Sequence, residues 1–144
     1  MSGFLYTVAA FVAAIGVLVV VHEFGHYWVA KRLGVKVLRF SVGFGRPLWV
    51  RRFGADRTEF VLAAIPLGGY VKMLDENEAK VSKKDLPRAF NRQSLPKRMA
   101  IVLAGPMFNF LFAILAYWLL FSVGTEGIKP VVGKVVDNSI AAAA

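Results

Sequence analysis

Two long stretches without a charged side chain constrain this chain more than any other feature. The first runs from Met1 to His22. Within it, Phe4 to Val21 is an 18-residue apolar run broken only by Thr7 and Gly16, and apolar character resumes after Glu23 and lasts to Ala30. The second, Met99 to Thr125, is 27 residues long. A spanning helix needs about 20 such residues at ~1.5 Å each, so both stretches are long enough to cross a bilayer. A cleaved signal peptide would carry Lys or Arg ahead of the first run and a small-residue cleavage site after it. Instead Met1-Ser2-Gly3 precedes the run and His22-Glu23 follows it.

The charge falls between these stretches. The chain of 144 residues is 57% hydrophobic, yet it carries 18 Lys+Arg against 9 Asp+Glu, a net charge of +9. Lys31 to Arg98 holds sixteen of the basic residues and six acids, a net of +10, whereas the tail beyond the second stretch is neutral. Basic loops stay on the cytosolic side of a membrane. The pattern therefore predicts a cytosolic loop 31–98 with both ends of the chain on the opposite side, which is the periplasmic side if the chain is bacterial. It favours contact with anionic lipid headgroups over nucleic acid, for which no binding motif is present. The absence of Cys excludes disulfides, thiolate metal sites and a Cys nucleophile.

The expected fold class is membrane α+β, with two transmembrane helices flanking a membrane-associated antiparallel β element on the cytosolic side. The first helix covers 1–30, the basic segment 31–93, the second helix 94–124 and the tail 125–144. In the basic segment, Leu38–Val42 alternates apolar and polar residues, and Leu48–Val50, Glu59–Ala64 and Tyr70–Met73 read as further strands. Turns are expected at Gly43–Pro47, Arg51–Arg57 and Ile65–Gly69. Asp75–Lys84 reads as a loop and Leu86–Gln93 as a short amphipathic surface helix. Ser94, with Pro96 two residues on, marks the start of the second long helix. An exposed sheet edge at membrane depth is costly unless it is covered, so it either packs on the helices or holds an extended peptide as an added strand.

His22-Glu23-Phe24-Gly25-His26 is an HExxH motif, and it uses every His in the chain. A helical spacing of four puts both imidazoles on one face, where they can bind one Zn²⁺ at about 2.0–2.1 Å each. Glu23 can then act as general base on an attacking water and hand the proton to the leaving amine. Ionisable groups cost roughly 2.5–3.5 kcal/mol at the centre of a spanning helix, and are functional by default. The bland alternative is a metal-free His–Glu contact between helices. Counting back from Lys31 puts His26 and His22 roughly 8 and 13 Å inside the cytosolic boundary, and Asn109 lies roughly 16 Å inside on the second helix. Asn109 is thus level with the metal or slightly deeper. Its amide can bind substrate backbone, orient the site or join the helices. Gly105-Pro106 just before it permits close helix approach. A tetrahedral catalytic zinc wants a third protein ligand. No third His exists, and Asp75 and Glu76 sit in the polar loop beyond the predicted sheet.

HEFGH in the first span, FSVGFGRPLW, IPLGGYVKML, and AGPMFNF in the second span resemble, in the same order, the site-2 protease family of intramembrane zinc metalloproteases. They are most similar to its bacterial regulator of sigma-E type. The resemblance implies Zn²⁺ as cofactor, His22 and His26 as metal ligands and Glu23 as catalytic base. It implies a β element around Gly43, Phe44 and Gly45 that contacts substrate, and an Asn109 that helps hold substrate. The implied partners are membrane lipid and a single-span membrane protein substrate such as an anti-sigma factor, with signal-peptide remnants as further substrates. The implied location is the bacterial inner membrane. The family's third ligand is an Asp in an Asn-x-x-Pro-x-Pro-x-Leu-Asp-Gly pattern, which Leu74-Asp75-Glu76 does not match. Pro130–Val136, followed by Ser139-Ile140-Ala141, resembles the opening strand of a periplasmic PDZ domain. The chain thus reads as the N-terminal portion of a longer protease. The competing expectation is a non-catalytic membrane scaffold or binding module.

Overall fold

The computed structural model describes residues 2–78 and 81–124. The chain divides into two compact units, Met1–Ile114 and Leu115–Ala144. Its elements in order are α1 (Ser2–Arg32), β1 (Val37–Phe53), β2 (Thr58–Met73), two 3₁₀ turns (Leu86–Arg88 and Phe90–Arg92) and α2 (Leu95–Val123). Both long helices are apolar enough and long enough to cross a membrane, and α2 begins directly after Ser94. Their outward side chains, such as Phe4, Leu5, Phe11, Val102 and Phe110, are exposed, as lipid-facing residues are when no bilayer is present. In the second unit, Tyr117 stacks on Phe121 at 6.1 Å, and the Ser122 hydroxyl donates to the Trp118 carbonyl at 2.7 Å. The residues of the expected PDZ strand lie outside the described residues.

α1 ends in a Schellman cap. Gly34 N–H donates to the Lys31 carbonyl and Val35 N–H to the Ala30 carbonyl, with Gly34 at φ +84°. Ala30 and Val35, the two apolar residues that this cap brings together, are fully buried with Val37 and Ile101. Tyr27, Val71, Met73 and Phe90 pack around them. This small core locks the C-terminal end of α1 to the sheet and to the head of α2.

The sequence suggests four strands; the structure joins them into one long antiparallel hairpin that doubles back on itself. Pairs run from Val37↔Met73 to Phe53↔Thr58, closed by a turn in which Arg57 N–H donates to the Gly54 carbonyl. The turn occupies Gly54–Arg57 rather than Arg51–Arg57, because Arg51 to Phe53 still pair with β2. Arg57 sits there at φ 50°. At Gly43–Pro47 and Ile65–Gly69 the hairpin bends instead of stopping. Gly43 and Gly45 take φ +89° and +82°, and a Cβ on Gly43 would lie 2.7 Å from the Ile65 carbonyl oxygen. Only glycine tolerates both conditions. Past the bend, Arg39↔Glu59, Phe40↔Phe60, Ser41↔Val61 and Val42↔Leu62 form a second seam. The partners' numbers rise together along it, so it runs parallel, a pairing that no local signal encodes. Residues 37–42 are therefore flanked by 69–73 on one side and 58–62 on the other, which leaves 69–73 as an edge.

The short helix expected over Leu86–Gln93 is instead two 3₁₀ turns split at Ala89, which is extended at φ −73°, ψ 139°. Ala89 is fully buried, and Phe90 N–H donates to the Leu74 carbonyl at 2.7 Å. Anchoring this segment to the end of β2 outweighs continued helix.

Around this end of α1, ion pairs replace apolar packing. Asp56, 9% exposed, accepts from Arg88 at 2.7 and 2.8 Å and pairs with Lys31 at the end of α1. The Arg88 hydrogen bonds, assisted by Lys31, hold the Asp56 carboxyl well below the usual carboxylate range against the opposing effect of burial. Glu59 bridges Arg52 and Arg39 and is lowered in the same way, chiefly by Arg52.

Candidate active site

The HExxH motif occupies the last third of α1, and α2 crosses it there with small residues. A Cβ on Gly25 would lie 2.5 Å from the Ala104 carbonyl oxygen, so the two backbones touch. Phe108 closes the contact against Phe24 and Trp28, each with ring centroids 5.9 Å away.

Three residues of α2 spaced four apart, Ile101, Gly105 and Asn109, form one ridge facing the two imidazoles. His26 Nδ1 lies 2.7 Å from the Ile101 carbonyl oxygen, and His22 Nδ1 lies 3.3 Å from Asn109 Nδ2. The higher-numbered His meets the lower-numbered α2 residue, so the helices run antiparallel at the site. Gly105 lies between these contacts. A Cβ there would fall 2.4 Å from His26 Nε2 and 2.6 Å from His22 Nε2. Both Nε2 atoms thus turn toward the same point beside the Gly105 backbone, an approach that any side chain at 105 would block. The rings are 4.8 Å apart, edge to face, as two ligands converging from one helix require.

The donor set fits zinc, which takes neutral imidazole nitrogen. Donation of Nδ1–H by His26 to a carbonyl leaves Nε2 with a free lone pair. Among the described residues no group of three or more His, Cys, Asp or Glu side chains gathers at one point. Asp75 lines the same cavity but does not join the two imidazoles.

That cavity, of about 550 Å³, is bounded by Glu23 and His26 on α1, Ile101 and Val102 on α2, and Gly69 to Met73 on the edge of β2. Gly69 is where the sheet meets the site. A Cβ there would lie 3.1 Å from Glu23 Cγ and 2.7 Å from the Ser41 carbonyl oxygen. Pro106 inside α2 has no N–H, so the Val102 carbonyl at the cavity wall lacks its helical donor.

The structure does not place Gly43, Phe44 and Gly45 on the cavity wall. Phe44 stacks on Tyr70, which does line it, at 6.3 Å and 12°. It lies so close over Gly68 (φ +124°) that a Cβ there would be 2.4 Å from the ring. The GFG segment therefore braces the edge strand. Sequence reasoning missed Gly69 and the Ile101 carbonyl. The Gly-Gly pair was a signal for the first; a backbone oxygen leaves no signal for the second.

Comparison with known proteins agrees with this geometry. The pattern of peptidase family M50 matches residues 10–143. The chain is 56% identical over all of its 144 residues to the regulator of sigma-E protease RseP of Escherichia coli, and covers 32% of that protein. It is equally identical, over the same shares, to a protein of Vibrio cholerae whose name describes a zinc metalloprotease. It is 54% identical over 134 residues, 93% of the chain, to a similarly named protein of Xylella fastidiosa, covering 30% of it. The chain thus spans about a third of the length of these relatives. Zinc is the metal of the family, and nearly the whole chain matches its pattern: this chain belongs to peptidase family M50, the site-2 proteases.

Proposed function

We propose that this chain carries the catalytic helix of an intramembrane zinc metalloendopeptidase in the bacterial inner membrane. The observation that carries the reading is the convergence of both Nε2 atoms beside Gly105, with Glu23 on the adjoining cavity wall. His22 and His26 hold zinc, and a carboxylate beyond the described residues supplies the third ligand. When bound, zinc supplies Lewis acidity for attack of water on a peptide bond. Glu23 takes the proton from that water and returns it to the departing amine. The second-helix ridge fixes both imidazoles, and close contact between the helices keeps bulk water out of the lipid side.

The substrate is a single-span membrane protein, an anti-sigma factor by resemblance. Residues 69–73 pair with β1 on one side, and no strand pairs their outer side among the described residues. An unwound segment of substrate adds there as a strand, which lays its backbone past Glu23 and His26. Gly43, Phe44 and Gly45 support that edge from behind. The sixteen basic residues in 31–98 support a cytosolic position for this loop.

The full-length protein in detergent tests this. It should bind one zinc, lost in His22→Ala and His26→Ala. Glu23→Gln should keep the zinc and lose roughly 10²–10⁴-fold in cleavage of a single-span substrate. Undiminished cleavage by Glu23→Gln would remove the general-base role.

A further inference from the structure

We propose that Asn109 is a positioning residue for the metal site: its carboxamide oxygen accepts the Nδ1–H of His22 and so fixes the tautomer that leaves Nε2 free for zinc. The inference rests on the zinc reading above and deepens it. Three observations converge. First, the two imidazoles have equivalent partners on one ridge of α2. His26 Nδ1 meets a carbonyl oxygen at 2.7 Å, and His22 Nδ1 meets the Asn109 carboxamide at 3.3 Å. Second, both Nε2 atoms converge beside Gly105, and a nitrogen that binds metal cannot also carry a proton. A neutral imidazole with Nε2 unprotonated carries its proton on Nδ1, which then needs an acceptor. A carboxamide offers one only through its oxygen. Third, with Nδ2 toward His22, Asn109 Oδ1 is buried without a hydrogen-bond partner among the described residues. A half turn of the amide exchanges its two ends, turns the unsatisfied acceptor to the Nδ1–H, and makes His22 match His26.

This role differs from holding substrate. A substrate-binding amide affects KM and leaves metal affinity alone. A partner of Nδ1 affects metal affinity even when no substrate is present. Loss of such a partner to a metal-bound His costs roughly 10–100-fold in affinity.

The test uses the full-length protein in detergent, without substrate, with zinc competed against a chromogenic chelator. Asn109→Ala should weaken zinc by roughly 10–100-fold. Asn109→Asp, whose carboxylate accepts the same proton, should bind close to wild type. The melting temperature of each metal-free variant should match that of metal-free wild type, while the rise on adding zinc shrinks only in Asn109→Ala. Wild-type zinc affinity in Asn109→Ala overturns the proposal, and so does an Asn109→Asp as weak as Asn109→Ala. His22→Ala is the separate control: if it binds zinc like wild type, the metal reading itself fails.

Discussion

The candidate active site and the charged collar at the end of α1 hold their parts together by opposite means. Around His22 and His26 the structure works by leaving atoms out: Gly25 lets the helices touch, Gly105 lets both Nε2 atoms approach its backbone, and Gly69 brings the sheet edge onto Glu23. Around the end of α1 it works by adding interactions: Asp56 with Lys31 and Arg88, Glu59 with Arg39 and Arg52, Lys72 with Glu78. A contact made of missing side chains has no slack, because any added carbon meets a backbone or a ligand. A contact made of charged side chains has slack, because long arms re-aim and water replaces a lost partner. The membrane explains the division: ion pairs are affordable beside water, whereas within a bilayer close backbone approach is the available glue.

The contrast predicts a steep order of effects. Gly105→Ala puts a methyl within 2.4–2.7 Å of both imidazoles, so the full-length protein should lose roughly 100-fold or more in zinc affinity, read by chelator competition. Unchanged affinity would show that the rings have room to spare. Gly69→Ala comes next. It should leave zinc bound, yet cost about 1–3 kcal/mol of stability by overpacking the edge beside Glu23, and lower kcat/KM for cleavage by the full-length protein. Equal loss of zinc would mean that the edge strand supports the ligands as well. In the collar, Asp56→Asn removes a charge that is 9% exposed and should cost about 2 kcal/mol in thermal unfolding, with the zinc constant intact.

The same carboxylate gives a pH test. Its folded value is depressed, so its contribution is fully present above the ordinary carboxylate value near ~4 and is lost as pH falls below that toward the folded value. Wild-type stability should therefore drop more steeply than that of Asp56→Asn below about pH 4. Parallel pH profiles would assign the acid sensitivity to other carboxylates. Glu78→Gln closes the order. Its pair with Lys72 is half or more exposed on both sides, so the change should stay within about 0.5 kcal/mol.

Much of this was legible from the residues. The helices announced themselves because apolar runs free of charge have few other destinations. HExxH stood out because three ionisable groups inside such a run have to be used. The separate strands were legible from alternation, and the bends from Gly43, Gly45 and Gly68-Gly69. The parallel seam between 39–42 and 59–62 was not, since it comes from folding a finished hairpin and depends on no neighbouring residues. The 3₁₀ split at Ala89 was hidden for a similar reason: the deciding bond goes to Leu74, fifteen or so positions away. At the site, side-chain partners could be anticipated by depth, as Asn109 was, but the Ile101 carbonyl could not, because every residue has one.

The tie between Lys31 and Asp56 has a consequence for the catalytic helix as a moving part. A helix standing in lipid is free to slide and to spin, and one residue of slip carries it about 1.5 Å along its axis and about 100° around it. Either movement would swing both imidazoles off the ridge of α2. Lys31 is five residues past His26, on the last turn of the same helix. Clamped to Asp56, which Arg88 holds from the other side, it limits how far the helix can slide or turn. The charged collar narrows the range of depth and rotation, and the close backbone contacts at Gly25 and Gly105 complete the register.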